Sequence, residues 1–422
     1  MGTAEHDTTR GPITRRGFLM ASAATAAAVA GGGTAMAEVG PEEFHGRWWW
    51  GTASSAVQVE GADPADDWYR WEQAGHAPKS GDGNGFRLRH REDFALLRSA
   101  GTTDHRLSIN WARVEPREGQ HDHEAIRYYR SVLAAGREEG LRIWVCLLHS
   151  AIPTWFADRG GFAAEDAFET WMRWVELADK LFGDLAGGWM PVNLATSYAQ
   201  KAYGSGTFPP GHRDPAELVS VLKTLHRCNF EAALRLRRDG VPTGSNEALL
   251  PLEAVDASPG AEAAVAKLDA LVWGSWLALA RQPRYAEAWD FHGFSYYYGA
   301  LVAETGQLLP RPAGAEPGPL GYVPWADGLA LVLKRLEAEL PGRRFVIAEL
   351  GYGGTDDQAR ETYLRRALTH VAAAQDAGMR IEGVTLWTGI DNYEWLAGFD
   401  VPFGLFTADR VPRRSAGVLR RR

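Results

Sequence analysis

The amino-acid sequence predicts an α/β fold of one domain, a (β/α)8 TIM barrel, on three observations. Short apolar runs rich in Val, Ile, Trp and Tyr recur from Arg47 onward, and longer amphipathic stretches separate them. Eight such runs in 422 residues suit one barrel better than two doubly wound domains. No linker rich in Pro, Gly and Ser, and no repeat of roughly 20–50 residues, interrupts the alternation.

The predicted strands are Trp48–Ala53, His105–Ile109, Arg142–Leu148, Trp189–Leu194, Thr243–Leu250, Phe291–Tyr297, Phe345–Leu350 and Gly383–Gly389. Between them, stretches such as Ala125–Gly140 and Asp357–Gly378 carry apolar residues every three or four positions and stop at glycine, as helices do. The indoles of Trp48, Trp49 and Trp50 are expected in the first strand and its outer packing. Residues 38–422 form the barrel domain. Ahead of it, Thr14-Arg15-Arg16-Gly17-Phe18-Leu19, an Ala-rich stretch and Ala35-Met36-Ala37 give residues 1–37 the form of a twin-arginine export signal cleaved near Glu38. The export machinery is thus an expected partner, and the mature chain is expected in the periplasm or outside the cell. That apolar stretch is too short to cross a bilayer, and no other segment is expected to span one.

Composition narrows the function. Forty-five Lys and Arg against 53 Asp and Glu leave a net charge of −8 without long single-sign blocks, so neither nucleic acid nor a membrane surface is an expected partner. Two cysteines, Cys146 and Cys228, exclude a disulfide framework and a Cys-rich zinc site and read as buried thiols. Seventeen tryptophans suit sugar stacking and an aromatic core equally. No cofactor and no metal is expected. Gly81-Asp82-Gly83-Asn84-Gly85 lacks the phosphate-loop lysine and the calcium-loop pattern and reads as a flexible loop near the pocket, while His121 and His123 read as part of a capped turn. The basic end, Arg420-Arg421-Arg422, reads as a frayed tail.

In such barrels chemistry sits at the C-terminal ends of the strands. Those ends carry Gln58, Arg106, His149, Asn193, Tyr296, Tyr297, Glu349, Trp387, Glu394 and Trp395, a density of polar groups that is costly to bury without partners. Amides, a histidine, carboxylates and indoles at one mouth describe a pyranose pocket, with a carbohydrate or glycoside as its small-molecule partner.

Seven stretches in register carry a resemblance. They are Trp50 through Gln58 to Ala62, His105-Arg106 to Val114, Leu147-Leu148-His149 with Pro153, Gly206 with Pro209-Pro210-Gly211, Asp290-Phe291 to Tyr296-Tyr297, Ile347-Ala348-Glu349-Leu350-Gly351, and Trp387 through Glu394-Trp395 to Leu405. From about Phe44 to Leu405 the chain resembles glycoside hydrolase family 1, the β-glucosidases and their relatives. The resemblance implies that Glu349 is the catalytic nucleophile, with Arg106 and Tyr297 keeping it ionised and aimed. A guanidinium and a phenol hydrogen bond do this for a carboxylate. It implies further that Gln58, Glu394 and Trp395 hold hydroxyls on the far side of the sugar, His149 the 3-hydroxyl and Asn193 the 2-hydroxyl, above a platform made by Trp387.

One departure matters most. Family members carry the acid/base in an Asn-Glu-Pro triplet ending strand four, and here the triplet is Asn193-Leu194-Ala195. Retaining hydrolysis uses two carboxyl groups roughly 5 Å apart, and leucine cannot transfer a proton. Ser295 and Leu350 also replace the family's usual Asn residues, Ser150 follows His149, and the stretch from strand five to strand six is short. Three readings follow. Another group supplies the proton, Glu247 beside Asn246 being the first candidate and Asp66 and Asp67 weaker ones. Or the leaving group departs unprotonated, as in the related plant thioglucosidases that lack the same Glu, with water or an acceptor hydroxyl completing a hydrolysis or transfer. Or the barrel binds a sugar without turning it over, a pseudoglycosidase.

Overall fold

The computed structural model describes residues 48–420 except Asp239. The export signal expected at residues 1–37 lies outside the described residues. Eight parallel strands occur where the apolar runs stand: β1 Trp49–Ala53, β2 Asp104–Ser108, β3 Arg142–Cys146, β4 Gly188–Trp189, β5 Glu247–Ala248, β6 His292–Tyr296, β7 Arg344–Leu350 and β8 Arg380–Trp387. Their order in the sheet is β4-β3-β2-β1-β8-β7-β6-β5. Parallel bridges from Trp189 to Thr243 and from Gly244 to Phe291 join the two ends into a barrel. Backbone bonds from Trp189 N to Pro242 O and from Gly244 N to Trp189 O, both 2.9 Å, hold the seam.

Side-chain alternation fills the barrel in layers. At its N-terminal end Trp49, Trp144, Met190, Phe291, Val346 and Ala348 form a buried plug. Trp49 meets Trp144 edge-on at 4.8 Å and Phe291 at 5.3 Å. The middle indole of the tryptophan triplet therefore points into the barrel, while Trp48 and Trp50 lie outside against the helix layer. Most other indoles are core. Trp68, Trp111, Trp144, Trp171, Trp174, Trp189, Trp273 and Trp276 are fully buried, and each contributes on the order of 5 kcal/mol of transfer free energy at roughly 25 cal/mol per Å². Both cysteines are buried free thiols.

The helices run as their periodicity indicates, His123–Glu138 and Asp357–Asp376 among them. Asp122 caps the first of these, accepting from Glu124 N and Ala125 N at 2.7 and 3.0 Å, so the His121 and His123 stretch is the capped turn expected. The stretch expected as a flexible loop at Gly81–Gly85 is a built turn: Gly83 has φ +60°, and a Cβ there would meet the Val59 carbonyl carbon at 2.3 Å. Asn84 also donates to Asp391 O at 2.9 Å. A small sheet of Leu252–Ala254, Ala300–Val302 and Leu308–Pro310 flanks the barrel and was not foreseen. Among the described residues one helical run, Pro259–Ala280, is long and apolar enough by composition to cross a membrane. Its Trp273, Trp276 and Leu277 are buried in the same core as Phe294 of β6 and Phe345 of β7, which makes it a helix of the outer layer.

Candidate active site

Above the plug, the strand ends bring the expected polar residues together. Arg106 on β2 and Glu349 on β7 form an ion pair through Nη2 and Oε1, with both side chains buried. Tyr297, just past β6, donates to Glu349 Oε2 at 2.7 Å. Burial, reinforced by Glu349, raises Tyr297 well above the usual phenol range, so it stays a donor.

A second chain of bonds runs along the wall. Ser295 Oγ donates to Asn246 Oδ1 at 2.8 Å. Asn246 Nδ2 donates to Asn193 Oδ1 at 2.6 Å and to Glu349 Oε1 at 3.4 Å. Asn193 Nδ2 faces His149 Nε2 at 3.1 Å. Burial, with help from Arg106 and Lys201, holds His149 well below its ordinary range. The imidazole is neutral, Nε2 accepts from Asn193, and the proton sits on Nδ1.

On the opposite wall Gln58, from the helix Ala56–Glu60 that follows β1, donates to Tyr393 O at 2.8 Å and to Glu394 Oε2 at 3.1 Å. Ser55 fixes its orientation by donating to Gln58 Oε1 at 2.8 Å. Burial pushes Glu394 up to about 7, against the opposing pull of the Lys201 ammonium and the Trp387 indole. The His149 ring lies near parallel to Trp387 and Trp395, at 5.6 and 6.1 Å. The arrangement is a polar cup with an indole beside it and one paired carboxylate at its base.

Leu194 stands beside that carboxylate's wall, half-buried among buried neighbours. It adopts φ 50° and ψ 55°, as the residue before the helix Ala195–Ala199. This left-handed backbone costs a non-glycine residue about 1–2 kcal/mol. The bond from Leu194 N to Asn246 O at 3.0 Å and that from Tyr198 N to Leu194 O at 2.9 Å hold it.

The structure overturns the substitute acids. Glu247 follows Asn246 on a strand, so the two face opposite sides. Asn246 looks into the pocket, whereas Glu247 is buried against the helix Pro215–Leu236, with Asn229 Nδ2 at 3.4 Å and His226 Nδ1 at 3.8 Å. Asp66 and Asp67 are equally committed. Asp66 accepts from Tyr69 N at 2.7 Å, Asp63 N at 2.8 Å and Asn110 Nδ2 at 3.1 Å, and Asp67 from Ile152 N at 2.9 Å. Two pocket groups escaped the sequence reading. Asn246 was legible from the same alternation that excludes Glu247, while Lys201 sits in a helical stretch with no local signal.

The position of Glu247 sets up a measurable effect. Burial pushes its carboxyl up to about 8, above its unfolded value, so the folded state holds a proton that the unfolded state has released. Stability contributed by the protonated group is full below pH 4.5 and falls as pH rises towards 8. Glu247→Gln should be neutral in effect at pH 5 and more stable than wild type at pH 9, by roughly a few kcal/mol. Melting temperatures across that range check it, and equal pH slopes for the two proteins would contradict it.

Comparison with known proteins agrees with this architecture. A family model for glycosyl hydrolase family 1 matches residues 41–245 and 315–421. Thermostable beta-glucosidase B of Thermobispora bispora is 27% identical over 444 residues, covering 93% of each chain. The chloroplastic galactolipid galactosyltransferase SFR2 of Arabidopsis thaliana is 25% identical over 362 residues; the match covers 82% of this chain but 57% of that longer one. A solved beta-glycosidase from Pyrococcus horikoshii superposes with a TM-score of 0.81 at 26% identity, over 88% of this chain and 92% of its own. The unmatched stretch between residues 245 and 315 is where the flanking sheet lies. With matched residues running through the strands that carry Arg106, Glu349 and Trp387, this chain belongs to glycosyl hydrolase family 1 and is a glycosidase or transglycosidase of that family.

Proposed function

We propose that the chain is an exported β-glycosidase or transglycosidase acting on a β-linked glucoside or related glycoside, by a retaining mechanism in which Glu349 is the nucleophile and the leaving group departs without a proton. The observation that carries this is a carboxylate held by Arg106, Tyr297 and Asn246 beside a wall where Leu194 offers no second carboxyl. In the first step a Glu349 oxygen forms a bond to the anomeric carbon while the glycosidic bond breaks, and the aglycone keeps the electron pair. In the second step an acceptor oxygen attacks the same carbon and the Glu349 carboxylate is released; a water or hydroxyl acceptor gives its proton to solvent, and an anionic acceptor has none to give. Gln58, His149, Asn193, Glu394, Trp387 and Trp395 would hold the ring. A missing general acid or base typically costs about 10²–10⁴-fold, so anionic leaving groups and already ionised acceptors are favoured over water. The similarity to a galactosyltransferase of Arabidopsis thaliana supports transfer. The form of residues 1–37 supports export.

The test is 2,4-dinitrophenyl β-glucoside, whose leaving group needs no acid. Dinitrophenolate release that azide accelerates and that Glu349→Ala abolishes is the expected result. No release from this glycoside or its galacto and fuco counterparts, alongside measurable sugar binding, would leave a sugar-binding protein without turnover.

A further inference from the structure

The Trp395 side of the pocket holds a cation to which that mechanism gives no part. The helix Ala195–Ala199 that begins after Leu194 continues as one wide turn, Gln200–Gly204, and Lys201 lies on it. Lys201 follows Leu194 by seven positions, close to two helical turns. Lys201 therefore lies on the segment that leads away from Leu194. Its Nζ lies 4.8 Å from the Phe208 ring centre. Phe208 packs on Trp395 at 5.3 Å, and Trp395 faces His149 at 6.1 Å, which puts the ammonium along the pocket mouth.

The side chain is open to solvent, and among the described residues it has no ion-pair partner. Its charge nevertheless acts on the pocket. Crowding by the protein around its base lowers Lys201 from its usual range, while Glu394 and Glu349 pull it back up.

We propose that Lys201 is the anion-binding group of the aglycone side, and that the group departing from, or attacking, the anomeric carbon opposite Glu349 is a carboxylate. This inference rests on Glu349 being the nucleophile. Proton accounting leads to it. A carboxylate leaves already ionised, so it needs no acid, and it attacks already ionised, so it needs no base. Leu194 supplies neither, and a lone ammonium stabilises the charge that is left. The balanced step is attack of one carboxylate oxygen on the anomeric carbon of the glycosyl-enzyme. The bond to Glu349 breaks, its electron pair returns to the Glu349 carboxylate, and the product is a glycosyl ester. The reverse step cleaves such an ester with no proton transferred.

The experiment loads the purified protein from 2,4-dinitrophenyl β-glucoside in the presence of benzoate and measures 1-O-benzoyl glucose against free glucose. A matched reaction contains benzyl alcohol, a neutral acceptor of similar shape. The expected result is capture by benzoate in preference to benzyl alcohol. Per glycosyl-enzyme formed, Lys201→Met should lose benzoate capture relative to benzyl alcohol capture by about tenfold or more, and Lys201→Arg should restore most of it. Because the product ratio is set only in the second step, a general loss of structure would not imitate this pattern. A normal burst with equal capture of the two acceptors, or unchanged capture in Lys201→Met, overturns the assignment of Lys201 alone. Absence of any Glu349-dependent burst in the wild type overturns the mechanism beneath it.

Discussion

Leu194→Glu should raise kcat/KM for glycosides with poor leaving groups, such as phenyl β-glucoside, by about 10²–10⁴. The same change should remove the acceleration by azide. The backbone there is already fixed by its bond to Asn246 O, and the Leu194 side chain is half-buried next to Asn193. A carboxyl introduced at this point can protonate a departing oxygen and then take a proton from water, which the present side chain cannot. For 2,4-dinitrophenyl β-glucoside the first step should change little, since dinitrophenolate needs no proton. A gain confined to poor leaving groups is therefore the signature, read from a series of aryl glycosides of graded acidity. A flat response across the series would mean that the missing proton donor is not what limits this enzyme.

Arg106→Met should be the most damaging single change to stability. It leaves the Glu349 carboxylate buried with Tyr297 and Asn246 as its partners but no countercharge. Stranding a buried charge in this way costs about 3–5 kcal/mol. Arg106→Met combined with Glu349→Leu removes both charges and should recover most of the loss, a non-additive pairing that denaturant unfolding of the four proteins measures directly. Dinitrophenolate release should fall sharply in both variants, so stability and activity separate in the double variant. If Arg106→Met unfolds at the same denaturant concentration as wild type, the pair does not hold the carboxylate.

The barrel was legible because its strands are written as dense apolar runs, and all eight occur in the order read. Strands four and five are shorter than expected. Strand four keeps only Gly188–Trp189 in the ladder, because Pro191 has no N–H to give and the chain turns at Leu194, and strand five keeps only Glu247–Ala248. The sheet beside the barrel uses strands of three residues, too brief to show alternation. Of the pocket, the residues at strand ends were legible from position and chemistry. Glu247 was misplaced because closeness in sequence was read as closeness in space, although neighbours on a strand face opposite ways. Lys201 was missed because a lysine in a helical stretch is ordinarily a solvated one, and only the fold brings it beside Phe208 and the Trp395 side of the pocket.

The plug of Trp49, Trp144, Met190, Phe291, Val346 and Ala348 closes the lower end of the barrel, and this sets the order of events above it. A cup with a sealed base has one doorway, so the aglycone must vacate the same space that the acceptor then fills. Donor and acceptor are rivals for that space and cannot be bound together. The kinetics should accordingly be ping-pong, with parallel double-reciprocal lines, and each reactant should inhibit at high concentration by standing in the other's place.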